Sequence, residues 1–585
     1  MSAIFGVLGA ASKDELELMA ARLSHKGKFA YIWSPDTDIW LGEIRNSPRQ
    51  SSEPENTAFS GQLYINWGEI PEAADYDALD RDLHQRRFVT DALHRDGIHY
   101  ADSLDGYFGV ASWDSVKRQL LLGTDRVNYE NIYYTRTSER FVFASEYKAM
   151  LALEDVDARP DPDVLQYSIA SFLPNYDSTL CGGISRVHYG HTLMVSRDGE
   201  QQHQFFRPEC RPEPGNMSQF AEGLRNVLLT ELTQLLGHHE RIAITLSGGL
   251  DSAGLLGMMR HLFPDKTIAS YTIGTGDGDP EIIGARVGAA YCGTEHHEYQ
   301  FQPDSLIVDL PKIIWLSEEF ASREESILQY QLQSLILGQE KVLTAGHGAD
   351  MDFGGMPRHR LVRLAEILPF VGKGLTELYQ QTQTGLLPET AIGKVFSHLV
   401  YRGKNVEPPR LSGSAGPPRI REPSGLDDML LHTVGAFHPH HYHSSIYSLE
   451  PLEVVMPFMS SAVIDYSTKI PTRFKVGLLQ QKVVLRKALA PFIPKEIYNR
   501  GKAIQRVKRD SALSDAIDVL ASQLLSSEDV KSRQLIDPCY VSKVRQRPKS
   551  GIYSGDQLSR LWMLISSELW CRTFVDNRGA PYGFS

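Results

Sequence analysis

The chain is poor in cysteine, has no long apolar run and is short of positive charge. Its five cysteines, Cys181, Cys210, Cys292, Cys539 and Cys571, are an odd number without CxxC or Cys–His metal spacing. That excludes a disulfide framework and a cysteine-built metal centre, and fits thiols kept in a reducing compartment. No apolar run approaches the roughly 20 residues needed to cross a bilayer, so no membrane association is expected. The opening MSAIFGVLGAASKDE lacks a basic start and a long apolar core, which excludes a secretory signal. With 60 basic and 72 acidic residues the formal charge is −12. This argues against a nucleic-acid partner bound across the whole surface, while permitting a local basic pocket. A cytoplasmic protein is expected.

At 585 residues, 42% hydrophobic and 23% charged, the chain is an ordinary globular one, too long for a single core. Short strand-like segments dominate the first ~150 residues: IFGVLG, FAYIWS, IWLGEI, GQLYINW, FGVASWD, RQLLLGTD, NIYYTR and RFVFASE, with helical patterns near 13–24 and 86–96. From about 216 the period changes to helices alternating with single apolar strands: helix 217–237, strand 241–246, helix 251–262, strand 267–273, helix 281–292, strand 295–300. That alternation predicts a parallel sheet with helices on both faces. RPECRPEPGN (207–216) reads as the linker. A Pro/Gly/Ser-rich stretch, 406–425, is compatible with either a solvent-exposed insertion or a substrate lid.

The most informative stretch is AITLSGGLDSAGLLG (243–257), where a strand meets a Ser-Gly-Gly hinge and then a helix. Glycines allow backbone N–H groups to face an anion, and the helix start adds its positive end. Ser247 and Ser252 flank the hinge with hydroxyls. Asp251 is repelled by phosphate and makes sense as a Mg²⁺ ligand. No GxxxxGK[ST] is present, so this is not a Walker-type loop.

LSGGLDS resembles the pyrophosphate loop of the N-type ATP pyrophosphatases. LTAGHGADMDFGGM (343–356) and the segments EVVMPFMSSAVIDYSTKIPTRFKV and QQKVVLRKAL…IPKEIYNRGKA (453–503) resemble further blocks of the asparagine synthetase B family. AIFGVLG, LDGYFGVASWD, LLLGTDRVNYENIYYT and RFVFASEYKAML resemble its glutaminase-type domain. The resemblance implies an α/β two-domain protein. An Ntn-hydrolase-like α/β/β/α sandwich, a degenerate glutamine-amidotransferase domain, would span 1–207. An ATP-pyrophosphatase-type parallel sheet with helices on both faces would span 216–585. It further implies ATP and Mg²⁺ as cofactors, with Leu246, Ser247, Gly248, Gly249, Asp251, Ser252 and Gly346 around the phosphates. Ser270, Tyr271, Thr272 and Ile273 would lie along the adenine, Asp251 and Asp350 would hold the metal, and Lys482 and Lys502 would face the transferring phosphates.

The family pattern breaks at the glutaminase site. The family opens Met-Cys-Gly; this chain opens Met1-Ser2-Ala3, and a hydroxyl is a far weaker nucleophile than a thiolate. Ser60 stands where the family has its oxyanion-binding Asn, and Arg86 or Arg87 where it has the acid that grips the glutamine amine. These departures imply an inactive glutaminase. Within the superfamily, β-lactam synthetases and lasso-peptide cyclases use an amine of the substrate itself. His347, between the glycines of GHGAD, matches a residue that lasso cyclases carry; as base or as orienting group its ordinary pKa near 6.5 would suit it. The implied activity is macrolactam closure on a precursor peptide, with a leader peptidase as partner. A small-molecule amide ligase and a non-catalytic scaffold are the rivals. Glu318, Glu319, Glu324 and Glu325 lie in the region expected to line the acyl-acceptor site. FHPHHYHSS (437–445) reads as pocket or surface residues rather than a metal site.

Overall fold

The computed structural model describes residues 2–48, 56–63, 78–171, 178–320, 325–367, 425–436, 452–501, 507 and 509–583. Most of the 406–425 stretch, all of the 437–445 histidine cluster, and Lys502 lie outside them.

Among the described residues, eleven strands form before the linker: β1 (Ala3–Leu8), β2 (Phe29–Asp36), β3 (Ile39–Arg45), β4 (Thr57–Leu63), β5 (Gly106–Asp114), β6 (Gln119–Thr124), β7 (Tyr133–Arg136), β8 (Phe141–Ala144), β9 (Ser185–Arg186), β10 (His191–Ser196) and β11 (Gly199–Gln204). They make two antiparallel sheets, ordered β2-β3-β1-β8-β7-β9 and β11-β10-β6-β5-β4. The period of two sends Ile4, Leu41, Phe141 and Phe143 of one sheet against Ala111, Trp113, Leu122 and Val195 of the other. The outer faces are covered by helices. Helix α1 (Lys13–Arg22), started by a Ser12/Glu15 capping box, lays Leu16 and Met19 on Phe5 and Val7. Helix α2 (Ala78–Asp96) lays Val89 and Leu93 on Phe59, Phe108 and Val110. This is the expected α/β/β/α sandwich. The sequence reading placed the fourth strand at 61–67, but pairing with β5 begins at Thr57.

After the linker, Asn216 caps helix α3 (Met217–Leu236). Strands β12 (Arg241–Thr245), β13 (Thr267–Gly274), β14 (Glu295–Gln300), β15 (Val342–Thr344) and β16 (Glu453–Val455) then build a sheet ordered β14-β13-β12-β15-β16. Every neighbouring pair in it is parallel. Side chains alternate: Ile242 and Ile244 join one apolar cluster with helices α3 and α4 (Leu250–Leu262), and Ala243 joins another on the opposite face. In such sheets the strand C-termini open onto the site, and here β12 ends at the Ser-Gly-Gly hinge.

The two domains share a continuous core. Tyr147, Leu151 and Val156 of the first pack in one cluster with residues of α6 (Leu306–Ser317) and α9 (Gly555–Trp570) of the second. Among the described residues, no helix is long and apolar enough to cross a membrane, and the five cysteines are free.

Candidate active site

At the C-terminal ends of β12, β13 and β15 lies a cavity of about 300 Å³. Its floor is the hinge between β12 and α4. Gly248 is required by crowding: a Cβ there would collide with Arg500 Nη1 and lie 2.9 Å from Gly284 Cα. A Cβ on Gly249 would meet only Ser247 Oγ, at 3.1 Å, which leaves its side open.

The loop closes its own hydrogen bonds. Ser247 N donates to Ser252 Oγ (3.1 Å), Gly249 N to Ser247 Oγ (3.2 Å) and Gly248 N to Glu281 Oε2 (2.9 Å). Glu281 opens helix α5 (Pro280–Cys292), and burial pushes its carboxyl above the usual range. Of the anion-binding groups the sequence offers, the Ser247 and Ser252 hydroxyls and the start of α4 are therefore nearest to hand, while the N–H groups of Ser247, Gly248 and Gly249 are engaged within the protein.

Opposite the hinge, Lys482 reaches Asp251 Oδ2 and Asp350 Oδ1, each at 2.5 Å. Burial opposes its charge, but the two carboxylates outweigh it and hold the lysine pKa above normal. Lys482 sits in the left-handed region (φ 54) just before helix α8 (Val483–Leu489), which turns its side chain back toward the hinge. The two carboxylates converge on the Lys482 ammonium, while Asp251 Oδ1, buried with no hydrogen-bond partner, is left to meet a metal ion. Hard oxygen donors disposed in this way fit Mg²⁺.

The cavity brings together Leu246, Ser247, Gly248, Gly249, Asp251, Ser252, Tyr271, Thr272, Ile273, Gly346, His347, Asp350 and Lys482. Ser270 does not reach it. Its hydroxyl is tied to Thr294 Oγ1 (2.7 Å) and His296 Nδ1 (2.8 Å) inside the sheet. His347 is hydrogen-bonded to Gln329 Nε2 at 3.2 Å. Enclosure lowers its pKa to about 4 despite the opposing pull of Asp350. So weak a base suits an orienting group better than the proton acceptor that its ordinary pKa suggests.

Several lining residues are given no role by the sequence motifs, among them Arg500, Gln329 and Gln333. Arg500 donates to Gly248 O (3.0 Å) and to Pro280 O, tying the hinge to α5; it stands inside IYNRGKA, two residues before Lys502. Gln329 and Gln333, on helix α7 (Glu325–Ile336), give no signal beyond being polar in an amphipathic helix.

Of the glutamates expected at the acceptor site, Glu318 and Glu319 are elsewhere. Glu318 accepts from Tyr147 N (2.9 Å) and Lys148 N (2.6 Å), and Glu319 pairs with Arg186 at 3.6 Å, so both hold the two domains together. Glu325 opens α7, and Glu324 lies outside the described residues.

At the N-terminal site, Gly61 N donates to Ser2 Oγ (3.2 Å), while Ser60 Oγ donates to Glu130 Oε2 (2.7 Å) and Ser2 O (3.0 Å). Arg86, not the exposed Arg87, points inward and pairs with Glu43 at 2.6 Å.

Crowding at the hinge is testable. A Cβ on Gly284 would collide with Arg500 Nη1 and stand 2.5 Å from Gly248 Cα. Gly284→Ala is expected to cost about 1–3 kcal/mol through overpacking and to weaken ATP binding by displacing the hinge. Thermal melting and nucleotide titration read both, and an unchanged nucleotide affinity would count against the role given to this contact.

Sequence comparison agrees with this architecture. The model of the glutamine amidotransferase domain matches residues 1–206, and that of asparagine synthase residues 224–572. Asparagine synthetase [glutamine-hydrolyzing] 1 of Bacillus subtilis is 23% identical over 98% of this chain and 95% of its own length. Amidase chry2 of Gibberella zeae is 24% identical over 90% and 89%. A solved glutamine phosphoribosylpyrophosphate amidotransferase from B. subtilis overlaps 52% of this chain and 92% of its own, at 10% identity and a TM-score of 0.27. The synthase match spans more than half of the chain and carries the hinge, both aspartates and Lys482. The chain therefore belongs to the asparagine synthase family, as an ATP-dependent carbon–nitrogen ligase.

Proposed function

We infer that the protein adenylylates a carboxylate and joins it to an amine that does not come from glutamine, closing a macrolactam on a peptide. The observation that carries this reading is the contrast between its two sites. The synthetase cavity keeps a complete charged set in Asp251, Lys482 and Asp350. The N-terminal site has a hydroxyl at Ser2 and a buried guanidinium, Arg86, paired with Glu43, where the resemblance puts the acid that grips the ammonium of glutamine.

In the reaction, a substrate carboxylate oxygen attacks the α-phosphorus of ATP and pyrophosphate leaves; the amine then attacks the acyl carbon, sheds a proton and displaces AMP. Lys482 balances charge on the departing pyrophosphate. Mg²⁺, held by Asp251 and Asp350, would neutralise the triphosphate. Neutral His347, fixed by Gln329, orients the acyl group. The peptide's amine must be free, which makes a leader peptidase the natural partner.

The test supplies ATP, Mg²⁺ and either linear peptides bearing a free N-terminus and an internal Asp or Glu, or small acids with ammonium or glutamine. AMP and product mass are followed. Peptide-dependent AMP release with loss of one water supports the reading; nitrogen transfer from glutamine, or from ammonium to a small acid, overturns it. Ser2→Ala is expected to leave AMP release unchanged, and a drop of tenfold or more would restore the N-terminal site to the mechanism.

A further inference from the structure

Helix α7 lines one wall of the cavity with Gln329, Leu332 and Gln333. Gln333 is 1% exposed, and neither its carboxamide oxygen nor its nitrogen has a hydrogen-bond partner. One turn earlier, Gln329 spends its nitrogen on His347 and leaves its oxygen buried and unpaired. Buried polar groups are almost always paired, because an unmet donor or acceptor forfeits its bond to water without replacement. Two such carboxamides on one helix face, four residues apart and open to the cavity, are a site kept for a ligand.

The ligand's character follows from what the wall offers. A carboxamide presents a donor and an acceptor side by side, the complement of another amide. Among the described residues, the cavity's cations are already engaged: Lys482 by Asp251 and Asp350, Arg500 by Gly248 O and Pro280 O, and Arg486 by Tyr498 O at 2.7 Å. A free amino acid would need charged partners for its ammonium and α-carboxylate, and the α7 wall has none.

Deepening the proposed reaction and resting on that reading, we propose that Gln333, with Gln329, binds an amide flanking the carboxylate to be activated, so that the site selects acids carried on a peptide over free amino acids. Gln333 is thus a specificity residue that touches substrate and takes no part in the chemistry.

The test is equilibrium binding to the full chain, which needs no turnover. The ligands are N-acetyl-aspartyl-N′-methylamide, free aspartate, ATP and GTP. The wild type should bind the blocked acid at least about tenfold more tightly than aspartate, the worth of one good hydrogen bond. Gln333→Leu should erase that preference, leave the choice of ATP over GTP intact, and keep or raise the melting temperature, since it removes an unpaired buried amide. Gln333→Met serves as the second variant. The proposal is overturned if the wild type shows no preference for the blocked acid, or if Gln333→Leu retains that preference. Loss of ATP–GTP discrimination would make Gln333 a reader of the base, and a lower melting temperature in both variants would make it structural; either also overturns the proposal. Failure of every acid to support AMP formation would instead sink the proposed function while leaving these binding results standing.

Discussion

Replacing Lys482 by methionine is expected to reduce pyrophosphate exchange into ATP by about 10²–10³-fold, the range seen when one preorganised charge partner is removed from a transition state. The exchange is run with any acid that supports it in the wild type. Lys482 is 6% exposed and balanced between Asp251 and Asp350. Methionine keeps the stem and its packing but withdraws the charge, so the two carboxylates face each other and the departing pyrophosphate at once. Arginine is not expected to rescue. A Cβ on Gly355 would already collide with Lys482 Cε, which shows how little room surrounds the side chain, and a planar guanidinium needs more. Pairing Lys482→Met with Asp350→Asn should recover stability without recovering exchange, which separates the fold from the chemistry. Exchange within a few-fold of wild type in Lys482→Met would remove this residue from the reaction.

The residues that make the hinge and the parallel sheet are local, and for that reason they were legible. A strand period gives way to a helical one at Gly249, and the cap, the glycines and the hydroxyls are contiguous in the chain. Strand β11, Gly-Glu-Gln-Gln-His-Gln, has no apolar alternation to read; it is a solvent-facing edge held by its neighbour β10. Glu318 and Glu319 lie, by their place in the chain, in the region expected to line the acceptor site. Their partners, at 147–148 and 186, lie more than a hundred residues away in another domain, a distance that no local pattern reports. The same limit hid Gln333. A glutamine in an amphipathic helix faces water or core according to what packs there, and only the folded cavity shows that it does neither.

Those long-range acids make stability fall as pH rises from about 6.5 to 8.5. Burial at the domain joint raises Glu319 to about 8 against the opposing pull of Arg186, and raises Glu318 to about 7 against Lys148, with Glu146 adding to the rise. An acid whose folded pKa exceeds its unfolded value, 4.5, stabilises fully below that value, and the benefit is lost as pH climbs through the folded one. His25, packed on Trp315 and paired with Glu146, has the opposite sign. Burial lowers it to about 4 against the upward pull of Glu146, so the folded state gains as pH rises from 4 to 6.5 and is unaffected above. The histidine and glutamate terms oppose each other below 6.5; above it only the acids act. Glu319 alone, over the 1.5 pH units to its folded value, is worth on the order of 2 kcal/mol. Glutamine imitates the protonated acid that faces Arg186 below that value. Glu319→Gln should therefore melt close to wild type at pH 6, lose less on going to pH 8.5, and show a flatter profile between them. Arg186, over the Tyr133 ring at 5.2 Å, keeps a neutral partner throughout. A wild-type melting temperature that holds or rises between pH 6.5 and 8.5, or a Glu319→Gln profile parallel to it, would show that the domain joint does not titrate in this way.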